Sequence, residues 1–328
     1  MKAIRGSLYY MNLNGSKTSI DREITAQAKA GFDLLWVNGP AFSLESLQML
    51  GEQGQFDPIA YMLDEAHAMG MKVIIEVMAD SNWYMRWDLE ADLERSDRIV
   101  SILAQRYGIH PAFEGYYLGN ELYIVHGKDK EYIRTLWASI AAQCRSSTPG
   151  CKIVASPFFV SDSHEVLGYA YESPEAYEQF WDEMLTGGDL DIVMLQDSGA
   201  EHGAFYSVEE REPYFAAVAN ACNRHGVELW GNIELAEIDV KDYIELKQFR
   251  GEHGANGEGF HDRRWKRVPL PKLNEKSELA SKYCRHLVSW GFSQFVSPES
   301  GMPGCQSYYE AFCRWNLDRR GKAVQHES

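Results

Sequence analysis

The chain has 328 residues, of which 45% are hydrophobic and 24% are charged. These values are near the averages of soluble globular proteins and exclude fibrous and disordered classes. The formal net charge of −16 argues against nucleic acid and anionic membrane surfaces as partners, because an acidic chain repels phosphate groups. No apolar run is long enough to predict a membrane span, and the amino-terminal residues do not resemble a signal peptide. We therefore expect a cytoplasmic protein, and its oligomeric state stays open.

The cysteines give a weak second indication of the compartment. Six are scattered along the chain without a CxxC pair, which favours reduced thiols. Cys144 and Cys151 bracket a turn and are the pair whose spacing would allow a disulfide under oxidising conditions.

A glycine recurs where a helical pattern gives way to an apolar run, and this is the main organising feature of the sequence. After an opening strand from Ile4 to Tyr10, the interval between these glycines is about 40 residues, with a longer last one. The recurring positions are Gly31, Gly70, Gly108, Gly150, Gly188, Gly226 and Gly291. Eight alternating strand and helix units predict an α/β fold, a (β/α)₈ TIM barrel that forms one domain over residues 1–328. The alternative is a different α/β architecture in which the count of eight is accidental.

Helix starts agree with this pattern. Asp57-Pro58 and Ser173-Pro174 each place a capping residue before a proline at the first helical position. Ser207 and Glu210 form a capping box, but Pro213 would lie inside that helix, so the helix is expected to begin later.

The longer last interval predicts an insertion at residues 238–272, between the seventh strand and the helix after it. In a barrel, a loop that follows a strand lies over the active-site face. The segment is rich in glycine and then basic, from Arg263 to Arg267. Two interpretations remain open, a lid over the site and a mobile surface insertion.

Two glutamates stand where a barrel carries its chemistry, at the carboxyl ends of predicted strands. Glu121 follows the fourth strand and Glu234 ends the seventh. Carboxylates on opposite sides of a pocket suit glycoside hydrolysis, in which one protonates the leaving oxygen and the other attacks the sugar or activates water. The alternatives are a salt-bridged or capping role for Glu121 and an acidic surface loop around Glu234. Asp197 is the rival catalytic carboxylate, and Glu76 is either a site residue or a buried structural acid.

Amides and aromatic residues near the same strand ends could bind a sugar, through hydroxyl groups and through ring faces respectively. The candidate substrate-binding residues are Asn38, Trp83, Trp87, Asn120, Gln196, Asp197, Tyr206, Trp230 and Asn232. Period-two alternation places Trp230, Asn232 and Glu234 on one face of the seventh strand.

Other site chemistries find little support. The ten histidines form no HxH or HExxH pattern, so we predict no metal site. No GxGxxG follows the first strand and no GxSxG occurs, so neither a dinucleotide cofactor nor a serine nucleophile is indicated. His126 and His202 follow the fourth and sixth strands. A position lining the pocket stays open for them, and as lone histidines they are rather expected at the surface.

The pair Asn120-Glu121 after the fourth strand, together with Glu234, resembles retaining (β/α)₈ glycoside hydrolases of the clan A type. The resemblance implies that Glu121 is the acid/base, that Asn120 contacts the sugar 2-hydroxyl and that Glu234 is the nucleophile. Two departures leave retention open. The second strand ends WVNG and lacks an arginine that often supports the nucleophile, and Phe295 stands where a platform tryptophan is common.

A closer resemblance is to a family of proposed glycosidases catalogued as domain of unknown function 4434. The shared segments are GYYLGNE (115–121), SPFF (156–159), MLQDSGA (194–200), ELWGNIELAE (228–237) and WGFSQFVSPES (290–300). The resemblance implies that Asn120, Glu121, Gln196, Asp197, Asn232 and Glu234 line the site of a hydrolase, without naming the sugar.

The sequence therefore predicts a glycoside hydrolase, with a carbohydrate substrate and no cofactor. Asn120 and Asn232 would orient the substrate, and Asp197 would act electrostatically. Two alternatives stay open: a non-catalytic carbohydrate-binding barrel, and a sugar isomerase or aldolase-type barrel that would need a metal or a lysine at a strand end.

Overall fold

Eight parallel strands close into one barrel, as the sequence predicts. The computed structural model describes residues 2–39, 44–50, 56–77, 87–253 and 262–326. The strands are β1 (Ile4–Tyr10), β2 (Leu34–Asn38), β3 (Lys72–Glu76), β4 (Phe113–Leu118), β5 (Lys152–Ala155), β6 (Ile192–Gln196), β7 (Glu228–Glu234), β8 (Ala236–Ile238), β9 (Trp265–Arg267) and β10 (His286–Trp290). The barrel order is β1–β2–β3–β4–β5–β6–β7–β10, with β10 returning to β1, and β8 pairs separately with β9.

Helices surround the barrel. The predicted caps are confirmed, since the side chains of Asp57 and Ser173 accept backbone N–H groups of the helices that they begin. None of the helices in the described ranges is long and apolar enough to cross a membrane. The helices are α1 (Lys17–Lys29), α2 (Leu44–Met49), α3 (Pro58–Ala68), α4 (Leu89–Tyr107), α5 (Gly127–Ser147), α6 (Pro174–Leu185), α7 (Gly199–His202), α8 (Glu212–His225), α9 (Tyr243–His253), α10 (Leu270–Tyr283) and α11 (Cys305–His326).

The barrel interior is filled by large side chains, so it is a packed core rather than a channel. Trp36 and Tyr117 meet edge to face with ring centroids 5.0 Å apart. Trp230 belongs to the same inner cluster. A polar site can therefore lie only above this layer, where the strands end.

The eighth barrel strand lies earlier in the chain than the sequence pattern predicts. The apolar run after Gly291 was expected to be this strand, but residues Phe292–Val296 form a short helical turn. The strand is instead His286–Trp290, which pairs with β7 along its whole length. The backbone at Gly291 is left-handed, with φ 91°, so this glycine ends the strand rather than preceding it.

The insertion between β7 and α10 contains regular structure. β8 and β9 form an antiparallel pair that holds its two ends together, and α9 lies between them in the chain. Trp265 of β9 is buried, and its ring centroid lies 5.7 Å from that of Trp290 at the end of β10. The insertion is thus anchored to the carboxyl end of the barrel, while residues 254–261 of the predicted lid lie outside the described residues.

All six cysteines carry free thiols. Cys144 and Cys151 are both buried and are not joined, and burial raises the pKa of each thiol. Neither is therefore activated as a thiolate.

Candidate active site

Glu121 lies in the open part of the site. β4 ends at Leu118, and Gly119-Asn120-Glu121 continue beyond it. The Glu121 side chain is accessible to solvent, yet protein atoms surround it closely. This desolvation, with the negative charge of Glu201 as a second cause, raises the pKa of Glu121 to about 7. A carboxyl group in this setting can carry a proton near neutral pH and still contact a ligand.

A second acid lies beside it in a different environment. Glu76, the last residue of β3, is buried, and its carboxylate accepts the Gly39 N–H at 2.8 Å. Burial raises the pKa of Glu76 to about 8 against the lowering effect of that hydrogen bond, and Glu121 raises it further. A Cβ at Gly119 would lie only 2.0 Å from a Glu76 carboxylate oxygen, so a larger residue at position 119 would displace the Glu76 side chain.

Asn120 is fully buried behind Glu121. Its Oδ1 accepts the indole N–H of Trp137 at 3.0 Å, which fixes the orientation of the amide. Its Nδ2 has no hydrogen-bond partner among the described residues. The amide therefore has a donor to offer once a ligand or water reaches it.

Glu234, the last residue of β7, occupies the opposite side and is only 3% exposed. The Ala200 N–H donates to its Oε2 at 2.5 Å. Burial raises the pKa of Glu234 well above its usual range, and the charges of Glu201 and Asp197 add to this effect. Lys276 and the Ala200 N–H act in the other direction by favouring the carboxylate.

Two buried cations stand behind Glu234. Lys276 Nζ donates to the Glu234 carbonyl oxygen at 2.6 Å and lies 3.0 Å from Oδ2 of Asp197. Arg211 bridges Asp197 and Glu237 at 3.4 Å and 3.2 Å. Both cationic side chains are 0% exposed. Although burial acts to raise it, Lys276, Arg211 and Lys272 hold the pKa of Glu237 below its usual value.

The position of Arg211 follows from local sequence. The Ser207 and Glu210 capping box forms with reciprocal hydrogen bonds of 3.1 Å and 3.3 Å. A 3₁₀ turn, Glu209–Arg211, comes next, and α8 begins only at Glu212, with Pro213 in its first turn. The later helix start that Pro213 predicts is thus confirmed. Arg211 lies in the turn before the helix, and its side chain is buried against the barrel.

The predicted amides come together at one level of the barrel. Gln196 pairs in register with Asn232 across β6 and β7. Asn232 Nδ2 donates to the Ser156 hydroxyl at 3.1 Å, and Gln196 Nε2 donates to the Ser156 carbonyl at 3.0 Å. Asn38 lies across the barrel, where its Nδ2 is 3.4 Å from Glu76 Oε1.

Among the described residues, the predicted aromatic side chains do not form one platform. Trp83 lies outside the described residues. Trp87, at the start of α4, is half-buried and meets the Tyr132 ring edge to face at 5.1 Å. Tyr206 is buried and stacks on His202 with ring centroids 4.3 Å apart. Neither of these two described rings stands free at the mouth.

Trp230 requires a correction, because it lies at the amino-terminal end of the barrel. Its ring contacts His286, the first residue of β10, and Arg5 lies 5.0 Å from the ring centroid. Its indole N–H donates to Glu228 at the start of β7. Glu234 lies four residue steps after Trp230 along the strand, a rise of about 13 Å, so sharing a face does not mean sharing a site.

His202 also differs from expectation. It is fully buried rather than at the surface, and burial lowers its pKa to about 3, with Arg211 and Arg250 adding to the effect. Its ring joins the Ser161 N–H to the Tyr243 hydroxyl, so it is a neutral structural side chain. His126 is exposed, as predicted.

Several site residues were missed by the sequence interpretation. Tyr10, at the end of β1, accepts the Trp290 indole N–H at 2.8 Å. Burial raises the pKa of the Tyr10 hydroxyl, as do the charges of Glu121, Glu76 and Glu234. For Lys276 a signal existed, since it lies on the apolar face of α10 with Leu273 and Ala280. The residues that were missed are Tyr10, Glu201, Arg211, Glu237, Lys276 and Trp290.

A metal centre finds no support in the described part of the chain, where no group of three or more His, Cys, Asp or Glu side chains could hold an ion.

Solved structures with the same fold include proteins described as glycoside hydrolases. A protein from Bacteroides thetaiotaomicron VPI-5482, described as a candidate alpha-L-fucosidase, is 17% identical, with a TM-score of 0.72 over 96% of this chain and 94% of that one. An endo-1,4-beta-D-mannanase from Thermotoga petrophila RKU-1 is 14% identical, with a TM-score of 0.58 over 95% and 99% of the two chains. An endo-1,4-beta-mannanase from Rhizomucor miehei is 11% identical, with a TM-score of 0.56 over 97% and 95%. At these identities the likeness is one of fold.

No functionally curated protein matches the sequence. A family model described as "Domain of unknown function (DUF4434)" matches residues 22–302, as the sequence motifs led us to expect. This protein belongs to that family.

Proposed function

We propose that this protein is a retaining glycoside hydrolase in which Glu234 is the nucleophile and Glu121 is the general acid and then the general base. The observation that carries the proposal is the contrast between the two carboxyl groups at the ends of β4 and β7. Glu121 is accessible, with a pKa near 7, whereas Glu234 is buried against backbone N–H and cationic groups. Glu121 can therefore hold a proton near neutral pH. The Ala200 N–H and Lys276 favour the ionised form of Glu234, which a nucleophile needs, against the burial that raises its pKa.

In the first step, Glu234 attacks the anomeric carbon while Glu121 gives its proton to the leaving glycosidic oxygen. The glycosidic bond breaks, a bond from Glu234 to the sugar forms, and Glu121 is left as a carboxylate. In the second step, Glu121 removes a proton from water, whose oxygen attacks the anomeric carbon and releases Glu234. The proton that leaves Glu121 in the first step is thus restored in the second.

The charges behind Glu234 suit a nucleophile. Lys276 and Arg211 place positive charge beside it, which favours the ionised carboxylate in a buried position. Lys276 lies on α10 and Arg211 in the turn before α8. We propose that they take the place of the arginine that often supports the nucleophile from the second strand and that this chain lacks. Asp197 and Glu237 balance their charge.

The substrate class follows from the electrostatics of the same face. Glu76, Glu121, Glu201 and Glu234 lie near one another there, as their mutual effects on pKa show. As the pH rises and these groups ionise, a polyanionic sugar would be repelled increasingly, so we infer a neutral or basic saccharide.

The test is a panel of aryl glycosides and oligosaccharides, assayed with the wild type and with Glu121→Ala and Glu234→Ala. Added azide distinguishes the two roles. With Glu121→Ala and an activated aryl glycoside, azide should give a glycosyl azide that keeps the substrate's anomeric configuration. With Glu234→Ala, azide should replace the missing nucleophile and give the opposite anomer.

Glu114→Gln is a matched control, since Glu114 lies on β4 at the other end of the barrel and should leave activity unchanged. Full activity in Glu234→Ala would contradict the proposal. Calorimetric binding of a glycan without turnover would instead favour a non-catalytic carbohydrate-binding barrel. A reaction that depends on added metal, or trapping of Lys276 by borohydride, would favour the isomerase or aldolase alternative.

A further inference from the structure

A hydrogen bond between two buried side chains decides which edge of the Asn120 amide a ligand can meet. Asn120 follows β4, and Trp137 lies on α5, the helix after that strand. The indole N–H of Trp137 donates to Oδ1 of Asn120 at 3.0 Å. An indole ring has a donor and no acceptor, so only the oxygen edge of the amide can face it. The NH₂ group of Asn120 therefore occupies the other edge.

This other edge lacks an acceptor. Nδ2 of Asn120 is buried, and no described residue accepts a hydrogen bond from it. The residue as a whole is 0% exposed, although the next residue, Glu121, is open to solvent. A buried N–H group without an acceptor is costly, so its presence directly before Glu121 indicates a position where a ligand supplies the acceptor.

Trp137 is itself held in place. Its side chain is 2% exposed and stacks on Trp181 of α6, with ring centroids 6.4 Å apart and planes inclined by 28°. If the Asn120 amide turned over, its NH₂ group would meet the indole N–H, and two donors would face each other unpaired. The orientation of the amide is therefore fixed by a ring that cannot move away easily.

We propose that Trp137 is a positioning residue that makes Asn120 a donor-only group, so that the site selects a hydroxyl group over an ammonium group at the sugar position that Asn120 contacts. A hydroxyl oxygen can accept from the Asn120 NH₂ group, whereas an ammonium group has three donors and no acceptor. The inference rests on the proposed function and narrows its substrate class. A basic saccharide fits only if its ammonium group lies at another position.

The test uses the nitrophenyl glycoside that the wild type cleaves best and its analogues in which one hydroxyl group at a time is replaced by an amino group, assayed in mild acid. At one position, kcat/KM of the wild type should be at least about 100-fold lower for the amino analogue than for the parent. In Trp137→Phe this ratio should shrink about tenfold, because the amide can turn its oxygen toward the ammonium group. The parent should lose less than about threefold, since a hydroxyl group can donate or accept.

Trp181→Phe is the matched control. Trp181 is the stacked neighbour of Trp137 and is 0% exposed, but its indole N–H makes no hydrogen bond to a described residue of the site. The substitution removes the same atoms from the same packed pair, and the ratio should stay at the wild-type value. Equal changes in the two tryptophan variants would show an effect of packing alone and would overturn the proposal.

Asn120→Asp tests the same point without a change to Trp137, so it applies even if Trp137→Phe fails to fold. The indole N–H can donate to one carboxylate oxygen, and the second oxygen then replaces the NH₂ group. The amino analogue at that same sugar position should gain about 100-fold relative to the parent, because a carboxylate accepts from an ammonium group. The absence of this gain, or a gain at a different position, would overturn the proposal.

A measurement without substrate distinguishes this proposal from the proposed function. The indole N–H proton resonance of Trp137, assigned by its loss in Trp137→Phe, should move upfield in Asn120→Leu, which removes the acceptor. It should move downfield in Asn120→Asp, which supplies a charged acceptor. A resonance that stays in place in both variants would overturn the proposal. Failure to cleave any glycoside would contradict the proposed function, and this resonance would still show whether Trp137 orients the amide.

Discussion

The two sides of the barrel mouth carry the same residue type in opposite settings. On the β4 side, Glu121 is open to solvent, and its pKa is raised by crowding and by a negative neighbour. On the β7 side, Glu234 is buried against Ala200, with Lys276 and Arg211 behind it. The difference teaches that the division of labour between two glutamates comes from their neighbours, because each glutamate alone has the same intrinsic chemistry.

The neighbours of the two sides also come from different parts of the chain. Glu121 raises the pKa of Glu76, one strand away, and its own pKa is raised by burial and by Glu201 of α7. The β7 side gathers Arg211 from the turn before α8, Lys276 from α10 and Glu201 from α7. We therefore expect substitutions on the β4 side to affect proton transfer, and those on the β7 side to affect charge and stability together.

The largest effect on the β4 side is expected from Glu121→Gln. With an unactivated glycoside, kcat should fall about 10²- to 10⁴-fold, the usual contribution of general acid–base catalysis. With a dinitrophenyl glycoside, which needs no proton on its leaving group, the first step should be largely preserved, and a burst of phenol release should be seen. Equal losses with both substrates would remove Glu121 from the role of acid.

On the β7 side, Arg211→Met should lower the free energy of unfolding by about 3–5 kcal/mol at neutral pH, because it removes one of the cations that pair with the buried Asp197 and Glu237. The folded-state pKa of Glu237 is lowered, so its stabilising contribution is present above its unfolded pKa and is lost as the pH falls. The deficit of the variant should therefore shrink in acid, as measured by denaturant titration.

Arg224→Met is the matched control for this prediction. Arg224 also bonds two carboxylates, Glu178 and Asp182, but it is 47% exposed. Its replacement should lower the free energy of unfolding far less, because solvent screens an exposed ion pair. Similar losses for the two arginines would mean that burial of the Arg211 network does not matter.

The pH profile of the wild type provides the next comparison. Because Glu121 must hold its proton to act as the acid, kcat/KM should fall as the pH rises through about 7, roughly tenfold for each further unit. In Glu121→Ala assayed with azide, this alkaline limb should disappear. Its persistence in that variant would assign the limb to another group.

The smallest effect is expected from a pair of tryptophans at opposite ends of the barrel. Trp290 ends β10 beside Glu234 and Tyr10, whereas Trp230 lies at the amino-terminal end with Arg5 and His286. Trp290→Phe should raise KM about two- to tenfold, in keeping with the loss of one aromatic contact. Trp230→Phe should leave KM unchanged. A larger rise in KM for Trp230→Phe than for Trp290→Phe would contradict the placement of the substrate at the carboxyl end of the barrel.

Much of the fold was predictable because its signals are local. The caps at Asp57 and Ser173 and the glycines before the strands act within a few residues of themselves, so they can be recognised without the rest of the chain. The exception was the eighth strand, where the apolar run after Gly291 resembles a strand in sequence. The strand is instead His286–Trp290, because this segment pairs with β7. Pairing depends on two segments that are distant in the chain, so it cannot be recognised from one of them.

The sequence by itself determined an eight-unit barrel, its family, and the placement of Glu121 and Glu234 at the carboxyl ends of their strands. It placed Trp230 on the correct face of β7 but could not show how far it lies from the mouth. Only the tertiary structure brought Arg211, Lys276 and Glu201 to Glu234 and separated the environments of the two glutamates. The reason is physical: burial and charge act through space, and groups far apart in the chain meet only when the barrel closes.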